Sequence, residues 1–191
     1  MPRTHKKLTV LFGATLLACV VLSSGASAAE FHSSVAPVTI SGSQSTSMVL
    51  TTDSGTVICK SVTFTGSLTA KTSTEFSSVF TLKECTAFGF INVPVDWNGC
   101  EFKWTASGAA HIVCKSKPIE LTAPGCTTFI GGQSLPGGAT FTTSGSAPNR
   151  HITEHWNFSG LSYIDCGKNH TNGTWKGSFT TKTSSGEHWW Q

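Results

Sequence analysis

The stretch VPVDWNGCEFKWTASGAAHIVC, residues 93–114, alternates apolar and polar residues on both sides of two turn signals. The first signal, Asn98-Gly99, strongly favours a two-residue hairpin, because both central positions of such a turn take a positive φ. This hairpin would bring the strands together in one register, with the pairs Trp97–Cys100, Val95–Phe102 and Val93–Trp104.

The second turn signal is Ser107-Gly108, and it extends the same register to a third strand. The resulting pairs are Phe102–Ile112, Trp104–Ala110 and Cys100–Cys114. All side chains on one face are then apolar, as a buried face requires. Two cysteines directly opposite on neighbouring strands lie at a separation that fits a disulfide, so we predict the Cys100–Cys114 bond.

Outside this stretch, short β-like segments recur from residue 35 onward at intervals of roughly 8–12 residues, separated by turn signals. Leucine is scarce, while threonine, valine, phenylalanine and tryptophan supply most apolar and β-branched positions, so helix propensity is weak. The sequence predicts a single all-β domain over residues 30–191. An antiparallel sandwich is the favoured architecture, with an open meander or a barrel as the alternative.

The first 29 residues have the pattern of a secretory signal peptide. A basic start with Arg3, Lys6 and Lys7 precedes an apolar run over residues 8–22 and small residues at 26–29. Leu16-Leu17-Ala18-Cys19 also resembles a lipobox, so a lipid anchor through Cys19 is the alternative to secretion. The apolar run is short for a membrane span, and we expect no transmembrane segment in the mature chain.

Six cysteines remain after the signal peptide, an even number in an exported chain. Such a count predicts three disulfides. With Cys100–Cys114 assigned, the other four cysteines allow three pairings. Cys59–Cys85 with Cys126–Cys166 follows the strand order most simply, but the sequence alone leaves the choice open.

Charge excludes one class of partner. Removing the three basic residues of the signal peptide from the 13 in the chain leaves 10, against 10 acidic residues. A mature chain of about zero net charge offers no electrostatic basis for binding nucleic acid. No motif predicts a cofactor.

The segment His151-Ile152-Thr153-Glu154-His155 matches the H-x-x-E-H zinc signature. That signature needs a helix, where residues four apart share a face. Here residues 151–163 read as a strand, on which the two histidines lie about 13 Å apart and Glu154 points to the opposite face. We therefore expect no shared metal.

Two further sets of residues are candidates for a site. In the Asn98-Gly99 register, Asp96 faces Glu101, and opposed carboxylates are weak candidates for a cation site or an acid–base pair. Trp97, Trp104 and Trp156 fall on predicted core positions. The remaining tryptophans, Trp175, Trp189 and Trp190, are candidate binding platforms, although Trp189-Trp190 equally fits a terminal strand packed on the core.

Several segments together carry a resemblance that covers nearly the whole mature chain: AEFHS at 29–33, GTVIC at 55–59, CTAFG at 85–89, VDWNGC at 95–100, HIVC at 111–114 and GLSY at 160–163. In these segments the chain resembles a group of uncharacterised secreted β-proteins of high-GC Gram-positive bacteria. The resemblance implies export and a shared cysteine framework. It implies no activity, ligand or catalytic residue.

The expected function is that of a secreted or cell-envelope, non-enzymatic β-domain that recognises a surface polysaccharide or an envelope protein. No residue is assigned a catalytic role in this interpretation. The alternative is a small extracellular hydrolase that uses histidine or carboxylate chemistry. A cleft that gathers such groups would favour the hydrolase, and a flat face carrying Trp175 or Trp189 would favour binding.

Overall fold

A computed structural model describes residues 28–191. Cys19 and residues 1–27 of the predicted signal peptide lie outside the described residues. The described chain forms sixteen strands: β1 (Phe31–Ser33), β2 (Val38–Thr52), β3 (Gly55–Leu68), β4 (Thr72–Ser73), β5 (Glu75–Ala87), β6 (Ile91–Asn92), β7 (Val95–Asp96), β8 (Glu101–Thr105), β9 (Ala110–Val113), β10 (Ile119–Ala123), β11 (Cys126–Ile130), β12 (Gln133–Leu135), β13 (Ala139–Ser144), β14 (His151–Asp165), β15 (Lys168–Thr183) and β16 (His188–Trp190).

Thirteen of these strands form one antiparallel sheet that curls into a half-barrel. Its main path runs β12-β9-β8-β5-β3-β2-β15-β14-β11-β10-β7, with β13 added to β14 and β6 added to β5. The other three strands form a small sheet in the order β16-β1-β4. The prediction of an all-β antiparallel fold is confirmed. No helix in residues 28–191 has the length and apolarity to cross a bilayer.

The strands form because their side chains alternate between the two faces of the sheet. In β14, Ile152, Trp156 and Phe158 point into the core, while His155 and Asn157 between them point outward. A slip of one residue would exchange the two sets, so burial of one face holds the register.

The concave face of the sheet is filled largely by aromatic rings. Phe102 stacks on Trp104 with ring centroids 5.0 Å apart, and Trp104 contacts Trp156 at 4.6 Å. Trp156 in turn contacts Phe179 at 4.3 Å. Aromatic pairs at these distances add to the stabilisation that area burial alone supplies.

The predicted register of the second hairpin is confirmed, since β8 and β9 pair Phe102 with Ile112 and Trp104 with Ala110. The bond between Cys100 and Cys114 is present, with an S–S distance of 2.05 Å. The simplest pairing of the remaining cysteines is also observed, as Cys59–Cys85 and Cys126–Cys166.

The predicted pairing across Asn98-Gly99 is wrong. The tight turn itself forms, with φ values of 48° and 71° and the Cys100 N–H donating to the Trp97 carbonyl at 2.9 Å. Beyond the turn, however, β7 pairs with β10 and β8 pairs with β5. The Asn98 side-chain amide donates to the carbonyl of Pro118 at 2.8 Å, which ties the turn to the start of β10 and separates the two strands.

The two ends of the curled sheet differ. At the closed end, the β16-β1-β4 sheet covers the core, and Phe31 makes edge-on contacts with Phe76 and Phe141, each at 4.9 Å. The opposite end, called the open end, consists of four turns between paired strands. These turns lie at residues 53–54, 88–90, 124–125 and 166–167.

A glutamine links one edge of the sheet to its middle. The side-chain amide of Gln133 on β12 donates to the Ser162 carbonyl on β14 at 2.8 Å. In return, the Ser162 N–H donates to the Gln133 side-chain oxygen at 2.8 Å. The carboxamide thereby takes the place of a backbone peptide between two strands that do not pair.

Candidate binding site at the open end

A pocket of about 140 Å³ lies between the four turns of the open end. Three of the turns contribute Ser54, Phe88 and Pro124, and Asp165 lies directly before the fourth, so the pocket exists only in the assembled sheet. Its apolar walls are supplied by Val57, Ala87, Ile91, Val93, Leu121 and Ala123. Mouths of β-barrels are common places for ligand sites, and apolar lining is typical of such sites.

Two phenylalanines form an exposed aromatic rim beside the pocket. Phe88 is 66% exposed and Phe90 is 80% exposed, values that are unusual for large apolar side chains. The Phe88 ring lies against Gly55, where an added Cβ would come within 3.1 Å of it. Gly55 also has a φ of 136°, so this turn favours glycine for both space and conformation.

The pocket contains one carboxylate, that of Asp165 at the end of β14, which is buried. Its oxygens accept hydrogen bonds from the Thr128 hydroxyl at 2.7 Å and from the Ser54 N–H at 3.2 Å. Burial acts to raise the pKa of Asp165, but hydrogen bonds from Ser54, Thr128 and Thr52 outweigh burial and bring the pKa below its usual value. The group is therefore ionised at neutral pH.

A cystine borders the same carboxylate. The ligand atoms of Cys126, Asp165 and Cys166 lie within 4.8 Å of one another. The two sulfur atoms are bonded to each other, so neither is a thiolate that could coordinate a metal. The cystine instead joins β11 to the β14–β15 turn beside the pocket.

A hydrogen-bonded network fixes the β2–β3 turn next to the pocket. Asp53 contacts the His170 ring nitrogen Nδ1 at 2.6 Å and accepts from the Asn172 amide at 2.6 Å. The Asp53 N–H donates to the Tyr163 hydroxyl at 2.9 Å, and the Tyr163 ring stacks on His170 at 5.0 Å. Burial is the main cause that raises the pKa of Tyr163, and the charges of Asp53 and Asp165 raise it further.

The structure corrects the interpretation of Trp175 as a surface platform. Its side chain is only 2% exposed and makes edge contacts with Trp97 at 5.8 Å and Phe102 at 5.5 Å. Trp175 shares the inward face of β15 with Phe179, four residues further on. The parity of this long strand is the signal that could have placed it in the core.

Trp189 and Trp190 belong to the terminal strand β16, which pairs with β1 at the closed end. The Trp189 ring lies between His32, stacked at 5.3 Å, and the Arg150 guanidinium, 3.7 Å from the ring centre. The Trp190 indole N–H donates to the Ala106 carbonyl at 2.9 Å. Both are partly buried in packing contacts, as the terminal-strand alternative predicted.

Asp96 and Glu101 are not brought together. Asp96 lies opposite Glu120 in the β7–β10 pair, because the chain diverges after the Asn98-Gly99 turn. Glu101 lies opposite Val113 and forms an ion pair with Lys115 at 3.2 Å. The expectation that the two carboxylates face each other is therefore wrong.

The H-x-x-E-H segment lies on strand β14, as predicted. His155 is exposed and contacts the Ser178 hydroxyl at 2.8 Å, whereas Glu154 points into the core. Burial raises the pKa of Glu154 to about 8, and a hydrogen bond from the Trp156 indole N–H only partly opposes it. The histidines and the carboxylate thus lie on opposite faces of the sheet.

Comparison of the chain with protein-family models, with curated proteins and with solved structures finds no match. The site at the open end is therefore defined by the residues of this chain alone. Among the pocket residues, only Cys126 was a candidate from the sequence, as a disulfide cysteine; the others were missed because the pocket is formed by segments far apart in the chain that carry no motif.

Proposed function

We propose that this chain is a non-enzymatic binding domain of the cell exterior, and that the open end receives an apolar group of its partner. The observation that carries the proposal is the solvent-connected apolar pocket at the open end, with Phe88 and Phe90 exposed beside it. Exposed apolar surface next to a preformed cleft is typical of a binding site.

An extracellular location is supported by the three disulfides, since such bonds persist in oxidising compartments. Secretion by a signal peptide over residues 1–29 is part of the proposal. The proposal also gives nucleic acid no role, because the net charge of the mature chain is near zero.

The chemistry of the pocket favours one of the two expected partners. A surface polysaccharide would need an exposed aromatic face, but Trp175 is buried and Trp189 is covered by Arg150 and His32. An apolar pocket suits an apolar group better than a sugar. We therefore favour an envelope protein, or a small molecule in the same space, over a polysaccharide.

Binding of fluorobenzene, followed by broadening of its ¹⁹F signal on addition of protein, tests the proposal. Ala123→Trp should fill the pocket and abolish the broadening. The matched control is Thr65→Trp, which adds the same ring at an exposed position on β3 and should bind like the wild type. Absence of broadening with the wild type, or equal broadening with Ala123→Trp, would contradict the proposal.

A second candidate function, a small extracellular hydrolase, is favoured by the contact of 2.6 Å between His170 and Asp53. An imidazole oriented by a carboxylate is the arrangement of a general base. Within residues 28–191, no serine, threonine or cysteine side chain hydrogen-bonds to the His170 ring, so no nucleophile accompanies it. Hydrolysis of p-nitrophenyl acetate by the wild type, lost in His170→Gln, would support the hydrolase.

A further inference from the structure

We propose that the open-end pocket recognises a small organic cation, a compound with an apolar body of about one ring and an ammonium group that contacts Asp165. This inference rests on the proposed function and specifies the ligand class for the same pocket.

The first argument is the charge of Asp165. Its hydrogen-bond donors are the Thr128, Thr52 and Ser54 hydroxyls and the Ser54 N–H, all of them neutral. In the described part of the chain, no lysine, arginine or histidine forms an ion pair with it. Buried charges in proteins are normally paired, because hydrogen bonds from neutral groups leave the charge itself unneutralised. A positively charged ligand group would supply the missing partner.

The second argument is the size and polarity of the pocket. A volume of about 140 Å³ is close to the roughly 150 Å³ of an engineered apolar cavity that takes up benzene. The lining includes the apolar side chains of Val57, Val93 and Leu121, together with hydroxyl residues such as Thr52 and Thr128. The space therefore suits one aromatic ring or a short alkyl chain attached to the cationic group.

A bare metal ion does not fit the same surroundings. Calcium takes about six to eight oxygen ligands, and magnesium about six with near-ideal geometry. Asp165 is the only carboxylate that lines this pocket, and the neighbouring sulfur atoms of Cys126 and Cys166 are joined in a disulfide. An organic cation, by contrast, needs one carboxylate and an apolar wall. The Phe88 ring at the rim adds a further attraction for a cation.

The experiment compares three ligands that share one ring and differ in charge: benzylammonium, benzyl alcohol and benzoate. Affinities are measured by NMR titration at pH 7 and low salt. We expect benzylammonium to bind at least tenfold more tightly than benzyl alcohol, and benzoate to bind most weakly. Asp165→Asn should remove the preference for the ammonium while leaving the alcohol bound. The matched control, Glu75→Gln, removes an exposed carboxylate on β5 outside the pocket lining and should keep the preference.

The outcomes of this experiment distinguish failure of the proposed function from failure of the proposed ligand class. If none of the three ligands binds, the proposed function fails together with this inference. If the alcohol and the ammonium bind equally, or benzoate binds best, the inference is overturned while the proposed function stands. Displacement of benzylammonium by submillimolar calcium would also overturn it, since the site would then be a metal site.

A second pair of variants covers the case in which Asp165→Asn does not fold. Ala123→Lys places an ammonium group in the pocket, and Ala123→Met places an uncharged chain of similar length there. If Asp165 lacks a cation, the Lys variant should melt at least as high as the Met variant. A markedly lower melting temperature for Ala123→Lys would overturn the inference.

Discussion

One buried carboxylate from each end shows how the two ends differ, since Glu187 at the closed end has a cationic partner and Asp165 at the open end has none. At the closed end, Glu187 forms an ion pair with Arg150 at 2.7 Å, and the hydrogen bond from Arg150 holds the pKa of Glu187 below its usual value. At the open end, Asp165 has only neutral donors around it. Glu187 is thus neutralised within the fold, whereas the charge of Asp165 has no cationic partner within it.

The same contrast applies to aromatic side chains. Phe31 at the closed end has no exposed surface, while Phe88 and Phe90 at the open end project into solvent. The closed end therefore buries this aromatic surface, whereas the open end leaves apolar surface in contact with solvent. This division predicts that substitutions at the closed end change the free energy of unfolding, while those at the open end change binding.

The largest expected effect is on the pH dependence of the free energy of unfolding, through Glu154, which is buried towards the closed end. Its pKa is about 8 when folded and about 4.5 when unfolded, so the folded state holds a proton that the unfolded state releases between these values. Stability is therefore full below pH 4.5 and falls by roughly 5 kcal/mol as the pH rises to 8. In Glu154→Gln, the free energy of unfolding, measured with urea at pH 6.5–8, should no longer fall with rising pH. An unchanged slope would show that Glu154 is ionised in the fold.

The next effect is Phe31→Ala, which removes a fully buried ring from the closed end. Loss of its contacts with Phe76 and Phe141 should destabilise the protein by about 4 kcal/mol, as large-to-small core substitutions do. Chemical denaturation measures the change. A loss below about 1 kcal/mol would mean that β1 is not part of the cooperative core.

His188, also at the closed end, should make the protein sensitive to acid. The Thr181 hydroxyl donates to the Ile152 carbonyl at 2.7 Å, so the Nε2–H of His188 must donate to Thr181, while the buried Nδ1 has no hydrogen-bond partner. Burial, followed by the charge of His151, lowers the pKa of His188 to about 4.

Because the unfolded state takes up a proton on His188 first, stability should fall by roughly 3 kcal/mol as the pH drops from 6.5 to 4. Over part of this range Glu154 raises the free energy of unfolding as the pH falls, so the effect of His188 should be measured in the Glu154→Gln variant. Adding His188→Gln there should remove the loss. If the double variant still loses stability between pH 6.5 and 4, a group other than His188 causes that loss.

The smallest effect is Phe90→Ala at the open end, the counterpart of Phe31→Ala at the closed end. With 80% of Phe90 exposed, its removal should change the free energy of unfolding by less than about 0.5 kcal/mol. Chemical denaturation again provides the measurement. A loss comparable to that of Phe31→Ala would remove the distinction between the two ends.

The sequence predicts those parts of the fold whose determinants are local. The β8–β9 register follows from one turn and one apolar face, and Cys100–Cys114 follows from that register. The pairing of β7 fails because it depends on a partner more than 20 residues away, Leu121 opposite Val95. The Asn98-Gly99 motif sets the turn but not the direction that the strands take after it.

The site was beyond prediction for the same reason. Asp165 and Thr128 come from strands far apart in sequence, and their contact exists only because β11 pairs with the end of β14. By contrast, the burial of Glu154 could have been derived, since a strand that exposes His155 turns its neighbour inward. Face alternation is readable in sequence, and the meeting of distant turns is not.

The order of the strands also bears on self-association. The strands of 13 to 16 residues, β2, β3, β5, β14 and β15, lie inside the sheet, while its terminal strands β12 and β7 have three and two residues. Long unpaired edges are templates for fibrils, and very short ones are not. Gln133 further occupies the N–H and carbonyl of Ser162, in the part of β14 that pairs with neither β13 nor β11. Short terminal strands and occupied backbone groups of this kind disfavour polymerisation through strand pairing.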